Sequence, residues 1–265
     1  MAEIQPTHLL HLAWYAKHGE FWWSLENLNW VAASLRLTRA FASHGGRRAV
    51  FAGSCAEYDW NFDILDEALT PLNSATLYGV SKSSLYRLLS SAQDRLQISL
   101  AWGRIFFPYG PHDQPSRLLS AVIDKVSAGE SFACSDGRQA RAFIYVEDVA
   151  RAFVELLESQ VEGAVNIATD QVYTVREVVA SAARLCGDAA LVQFGARPPR
   201  ANEPTLMRAS VRRLYDEVGF RPQFDLASGL QKAITLRLGS RNMQSITEGP
   251  SADSGLARKI VAERT

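Results

Sequence analysis

Short apolar runs alternate along the chain with longer amphipathic segments, a rhythm that predicts repeated β–α units around a parallel sheet. Thr7 to Ala16 reads as a buried strand. Ser24-Leu25-Glu26-Asn27 reads as a helix start, Leu28, Val31, Leu35 and Phe41 continue its apolar stripe, and His44-Gly45-Gly46 stops it. Arg48 to Ser54 is a second strand, followed by a polar loop through Pro71. A long helix is expected over Tyr78 to Asp94, with Leu85, Leu88 and Leu89 on one face, and a third strand over Leu96 to Phe106. The turn-rich stretch Phe107-Pro108-Tyr109-Gly110-Pro111 precedes a helix over Leu118 to Ser127. A further unit follows: strand Phe143 to Val146, helix Glu147 to Glu158, strand Ala164 to Ala168. Leu191 to Phe194 reads as a short strand in a smaller C-terminal lobe. From about Ser240 the chain turns polar and aperiodic, which predicts a frayed tail.

Composition narrows the function classes. Lysine plus arginine and aspartate plus glutamate both total 28 in 265 residues, so no basic excess points to nucleic acid. The longest apolar runs are far too short to span a bilayer, and no basic region precedes the first of them as in a signal peptide. Cys55, Cys134 and Cys186 are odd in number and far apart, which predicts reduced thiols in a cytoplasmic protein, not a disulfide framework or a metal site. His8 and His11 fall on opposite faces of a strand and read as packing or surface residues.

Three positions carry candidate chemistry. Tyr78 and Lys82 are four apart on a helix, so their side chains share a face. An ammonium beside a phenol favours the phenolate; bringing a tyrosine near neutrality is a shift of roughly 3 units, or about 4 kcal/mol. The same spacing also fits a solvated helix face. Ser54 ends a parallel strand, where ligands of open α/β sheets bind, and its hydroxyl can orient a substrate oxygen; it also fits a turn or cap.

Five blocks occur in an order and spacing that resemble the extended short-chain dehydrogenase/reductases, the NAD-dependent epimerase/dehydratase family of nucleotide-sugar enzymes. They are His11-Leu12-Ala13, Phe51 to Tyr58 (FAGSCAEY), Tyr78-Gly79-Val80-Ser81-Lys82, Arg104 to Pro111 (RIFFPYGP) and Arg141 to Ala150 (RAFIYVEDVA). The resemblance covers about residues 7 to 235. It implies an α/β, doubly wound, Rossmann-like parallel sheet lacking its first strands, with a smaller C-terminal substrate lobe. Residues 1–110 would be the remainder of the NAD(P)-binding domain and 111–240 mainly the substrate lobe. Residues 141–170 would return to the core sheet, and 241–265 would form a disordered tail. It further implies a catalytic trio in which Tyr78 is general acid/base, Lys82 binds the nicotinamide ribose and lowers the tyrosine pKa, and Ser54 orients the reacting oxygen. Ala13, Phe107 and Pro108 would line the cofactor site. Arg141 would meet the diphosphate of a nucleotide-diphosphate sugar, its planar fork suiting phosphate. Asp148 reads as a structural cap or pair. The implied activity is 4-epimerisation or 4-ketoreduction with NAD or NADP, in a homodimer built on the two long helices.

Two departures qualify it. Cys55 and Ala56 stand where the dehydratases of this family carry an acid/base pair, which disfavours 4,6-dehydration. The family's opening G-x-x-G-x-x-G turn, which holds the cofactor pyrophosphate on backbone amides, does not occur in this sequence. Weak or absent cofactor binding is the expectation, with His8 to Tyr15 left as an apolar, aggregation-prone sheet edge. The rival reading is a catalytically impaired truncated paralogue, or a substrate-binding remnant that holds no cofactor. A third, an oxidoreductase on a flavonoid or steroid, shares the trio, but Arg104, the Tyr109-Gly110-Pro111 turn and Arg141 favour a sugar nucleotide.

Overall fold

The computed structural model describes residues 3–199 and 203–247, with side chains through residue 240. Its main sheet holds β1 (His8–His11), β2 (Arg48–Ser54), β4 (Ser99–Ile105) and β9 (Gly163–Ile167) in the order β1-β2-β4-β9, every pair parallel. The runs RAVFAGS and SLAWGRI are buried on both faces, as strands of a covered parallel sheet must be. Alternate residues divide between two cores. Ala49, Phe51, Leu100 and Trp102 pack under α1 (Glu26–Ser43) and α2 (Leu77–Leu96), whereas Val50, Ala52 and Ala101 pack under α4 (Val146–Glu158). Helices on both faces of a parallel sheet make this a doubly wound α/β fold.

The remaining elements build a second lobe and a platform joining it to the sheet. In the lobe, α3 (Leu118–Ser127), α5 (Val175–Cys186) and the start of α6 (Leu226–Thr247) share a core with β6 (Phe132–Cys134) and β11 (Val192–Phe194). The platform is a small mixed sheet of β3 (Ile64–Leu65), β7 (Ala140–Arg141), β10 (Tyr173–Thr174) and β12 (Leu206–Ala209), with a separate parallel pair β5 (Phe107–Tyr109) and β8 (Phe143–Tyr145). None of the described helices is long and apolar enough to cross a membrane.

Several expectations need correction. The first strand stops at His11, not Ala16. Leu12 is 52% exposed, and Trp14 turns across the sheet to join the α1–α2 core. The edge strand is covered on both faces, Leu9 facing the α1–α2 core and Leu10 the α4 core. Helix α1 buries Asn27, Ser34, Thr38 and Phe41, while Leu28 is exposed; its close approach to β1 favours small polar groups, with Ser34 Oγ 3.3 Å from His11 Nε2. In α2, Leu85 and Leu89 are buried but Leu88 is exposed. Helix α6 continues through Thr247, into the stretch expected to be tail; the rest of that stretch lies outside the described residues.

Candidate active site

The carboxyl end of β2 sets the site. Ser54 leaves the strand and caps a single 3₁₀ turn over Cys55–Glu57: its Oγ accepts from the Ala56 amide at 3.2 Å, and Glu57 Oε1 accepts from the Ser54 amide at 2.8 Å. The first turn of α2 presses on this loop. A Cβ on Gly79 would lie 2.1 Å from the Ala56 carbonyl oxygen, so only glycine permits the approach. That contact brings Tyr78 to Ser54, whose hydroxyl stands close enough to the phenol to favour its anion. Phe21 and Trp22 pack edge-on against the Tyr78 ring at 4.9 and 5.9 Å between centroids.

Lys82, one turn further along α2, is buried. Its ammonium donates to the Ala52 carbonyl at 2.6 Å, lies 3.8 Å from the Trp14 ring centroid and 6.0 Å from the Tyr78 ring centroid. The trio inferred from sequence is thus brought together, but its electrostatics differ from the expectation. Burial pushes the Tyr78 phenol up to about 12, with Ser54 and the Arg117 charge pulling the other way. Burial pushes Lys82 down to about 7, opposed by Glu57. An amine only partly charged at neutrality gives a phenolate little support, so Tyr78 here is held protonated.

These shifts fix the sign of a stability profile. Between about 7 and the ordinary 10.5, unfolded Lys82 keeps a proton that the folded chain has shed, so stability rises with pH. The gain is at most about 1.4 kcal/mol per pH unit. Cys55 and Tyr78, each pushed up to about 12 by burial, act oppositely once their unfolded counterparts ionise near 9 and 10. Urea midpoints are therefore expected to climb from pH 7 to about 9 and then fall, and Lys82→Met is expected to flatten the climb. An equal climb in that variant would contradict the assignment.

Beneath the trio lies a buried ion pair that sequence reading missed. Arg104 Nε donates to Glu57 Oε2 at 2.8 Å and its Nη1 to the Tyr58 hydroxyl at 2.9 Å, while Trp102 Nε1 donates to Glu57 Oε1 at 2.9 Å. Glu57, Tyr58 and Arg104 are at most 1% exposed. Arg104 therefore supports the Ser54 loop from below and does not reach a ligand, which removes it from the case for a sugar nucleotide. A sign was present in the sequence: Arg104 is a charge inside the apolar run of β4, and Glu57 stands in the turn that follows the neighbouring strand β2.

On the platform side, β7 carries Arg141 against Phe107, with 5.5 Å between the guanidinium carbon and the ring centroid. Arg141 is buried and donates to Ala140 O, Glu203 Oε1 and Pro204 O. Its charge is felt by the Cys55 thiol, next to Ser54. Pro108 is held in β5 opposite Ile144. Ala13 is exposed beside Trp14. Asp148 is structural: it accepts from the Gln223 and Phe224 amides and pairs with Arg151. Arg117, whose charge is felt by Tyr78, pairs with Asp113 at 3.2 Å, and Gln114 accepts from the His18 amide. A phenol, a hydroxyl and an amine at the carboxyl ends of parallel strands suit in kind the reactive end of a nicotinamide cofactor, with the Trp14 ring standing over the amine. Among the described residues no group of histidine, cysteine and acidic side chains is placed to hold a metal ion, and all three cysteines are free thiols.

Comparison with known proteins places the chain in a family. The chain is 25% identical over 233 residues to a UDP-glucose 4-epimerase of Corynebacterium glutamicum, covering 80% of this chain and 70% of that protein. It is 21% identical over 170 residues to UDP-glucuronic acid decarboxylase 1 of Arabidopsis thaliana, covering 63% of this chain and 39% of the relative. The first curated relatives matched are spanned over only 34% to 48% of their length. In fold it resembles a UDP-N-acetylglucosamine 4-epimerase of Methanobrevibacter ruminantium M1, with a TM-score of 0.81 at 23% identity, covering 88% of this chain and 77% of that one. Residues 1–168 match the model of the NAD dependent epimerase/dehydratase family, and the chain belongs to that family.

Proposed function

We propose that the chain acts at C4 of a nucleotide-diphosphate sugar, as a 4-epimerase or 4-ketoreductase using NAD or NADP. The observation that carries the reading is the close approach of the first turn of α2, which bears Tyr78, to the loop capped by Ser54 at the end of β2, with Lys82 one turn away. A nicotinamide, when bound, supplies or takes the hydride. Ala13, Tyr78, Lys82, Phe107 and Pro108 would hold that end of the cofactor. In reduction of a C4 ketone Tyr78, protonated, donates to the oxygen gaining charge, in the reverse oxidation its phenolate takes that proton back, and Ser54 fixes the oxygen's direction. Arg141 would turn to the substrate diphosphate, exchanging its contact with Glu203 for phosphate oxygens. Cys55 and Ala56 offer no acid or base for dehydration, and burial keeps the Cys55 thiol protonated. Free thiols suit a reducing, cytoplasmic setting. The test is a panel of nucleotide sugars with both cofactors, read by sugar product and by nicotinamide absorbance. Turnover that disappears in Tyr78→Phe supports the reading, and C4 turnover that survives in the variant defeats it.

A homodimer belongs to the same proposal. Helices α1 and α2 keep a second apolar stripe facing solvent, in which Leu28, Val80 and Leu88 are each about half exposed. Pairing these helices with those of a second copy would bury it. Light scattering is expected to give the dimer mass at micromolar concentration and the monomer mass for Leu88→Glu. A wild-type monomer would contradict the proposal.

A further inference from the structure

The loop after β1 turns an indole onto the lysine of the trio. Trp14 lies with its ring centroid 3.8 Å from Lys82 Nζ, and its Nε1 donates to Asn27 Oδ1 at 2.8 Å. Asn27 is itself fully buried and fixed, its amide donating to the Phe21 and Ser24 carbonyls, each at 2.8 Å. Lys82 has the Ala52 carbonyl on one side and the indole face on another. A ligand hydroxyl must come within about 3 Å of a nitrogen to hydrogen-bond it. At 3.8 Å the ring leaves no room for such a hydroxyl between itself and the ammonium. Trp14 nevertheless lies outside the paired part of the sheet. It follows the last paired residue of β1, its neighbours Leu12 and Ala13 are exposed, and its polar anchor is the single bond to Asn27.

We infer that the Trp14 indole is the positioning residue that covers Lys82, so that a ribose diol reaches the amine only when this ring swings aside. The inference deepens the nicotinamide reading proposed above and makes Trp14 the side chain that sets affinity at that end of the cofactor. A ligand that binds only the open arrangement loses affinity in proportion to how seldom that arrangement is populated. If the open state is a minor one, deleting the ring removes that loss.

The test separates the cover from the cofactor. Lys82 acetylation by a small acylating reagent is followed by peptide mass spectrometry in the wild type, Trp14→Ala, Trp14→Phe and Trp30→Ala, with thermal melts for each. Trp30 is the control, an aromatic neighbour 6.1 Å from Trp14 between ring centroids. Lys82 is expected to react about tenfold faster or more in Trp14→Ala, as for an open state populated at 10% or less in the wild type. Trp14→Phe, which keeps a smaller ring without the Asn27 bond, is expected to lie between, and decides the matter should the alanine variant not fold. Trp30→Ala is expected to match the wild type. Equal protection in the wild type and the Trp14 variants, or equal acceleration in Trp30→Ala, would overturn the inference. Calorimetric titration of NADH into the same proteins is expected to show tighter binding to Trp14→Ala. Weaker binding there would make Trp14 a platform for the cofactor and also overturn it. Faster labelling with no NADH binding to any variant would count against nicotinamide use while upholding the cover over Lys82.

Discussion

Glu57→Ala is expected to destabilise the fold by about 3–5 kcal/mol, the usual cost of stranding one partner of a buried ion pair. Arg104 would be left 1% exposed without its carboxylate, and Trp102 Nε1 and the Ser54 amide would each lose an acceptor. A cavity effect of the missing side chain adds to this, but the unpaired cation dominates. Glu57→Gln keeps the shape and one acceptor and is expected to cost less than the alanine change. The double variant Glu57→Val with Arg104→Leu removes both charges and is expected to recover part of the loss, since apolar replacement of a buried pair is often close to neutral. Recovery stays incomplete because the Trp102 and Ser54 donors remain unanswered. Urea denaturation with all three proteins checks this; a Glu57→Ala cost below about 1 kcal/mol would contradict the role assigned to the pair. Because Glu57 also caps the Ser54 turn, the alanine variant is expected to lose the meeting of Ser54 with Tyr78 along with its stability.

The parts of the fold that were legible in sequence are those specified locally. Ala49 to Gly53 is an unbroken apolar run between Arg48, soon after a glycine stop, and a capping serine, and the strand extends one residue beyond it at each end. Helix α3, an amphipathic segment after a proline-rich turn, is equally self-contained. Elements whose limits depend on distant partners were harder to read. The apolar stretch from Thr7 to Ala16 continues past the last residue that β2 pairs, and Trp14 takes its place by contact with Lys82 and Asn27. The buried face of α1 carries Ser34 and Thr38 because it meets His11 at close range, a preference no helical periodicity reveals.

The same division runs through the site. Tyr78, Lys82 and Ser54 were legible as a set through the family resemblance, since spacing and a strand end alone also fit a solvated helix face and a cap. In the structure α2 carries Tyr78 and Lys82 to the loop after Ser54. Their ionisation does not follow, since it depends on burial. A lysine four residues from a tyrosine reads as a charge that lowers the phenol, yet burial takes much of that charge away and raises the phenol instead. The resemblance assigns Arg141 to the substrate diphosphate, but its engagement with Glu203 and two backbone carbonyls was not legible.

Proton transfer by Tyr78 is the central claim, and it carries the largest expected effect on rate. Tyr78→Phe keeps the ring against Phe21 and Trp22 and deletes only the hydroxyl, so folding and substrate binding are expected to persist. General acid/base assistance is worth about 10² to 10⁴ in rate, and the loss is expected in kcat with little change in KM. Ser54→Ala is expected to lose less, because it deprives the reacting oxygen of direction but leaves the donor. The most direct measurement is the single-turnover rate of C4 chemistry on the nucleotide sugar that the panel identifies, in the wild type and in Tyr78→Phe, at saturating cofactor. The account predicts a fall of about 10² or more with the melting temperature unchanged. A variant that turns over at the wild-type rate would show that the proton moves by another route and that the Ser54, Tyr78 and Lys82 cluster is not the centre of the chemistry.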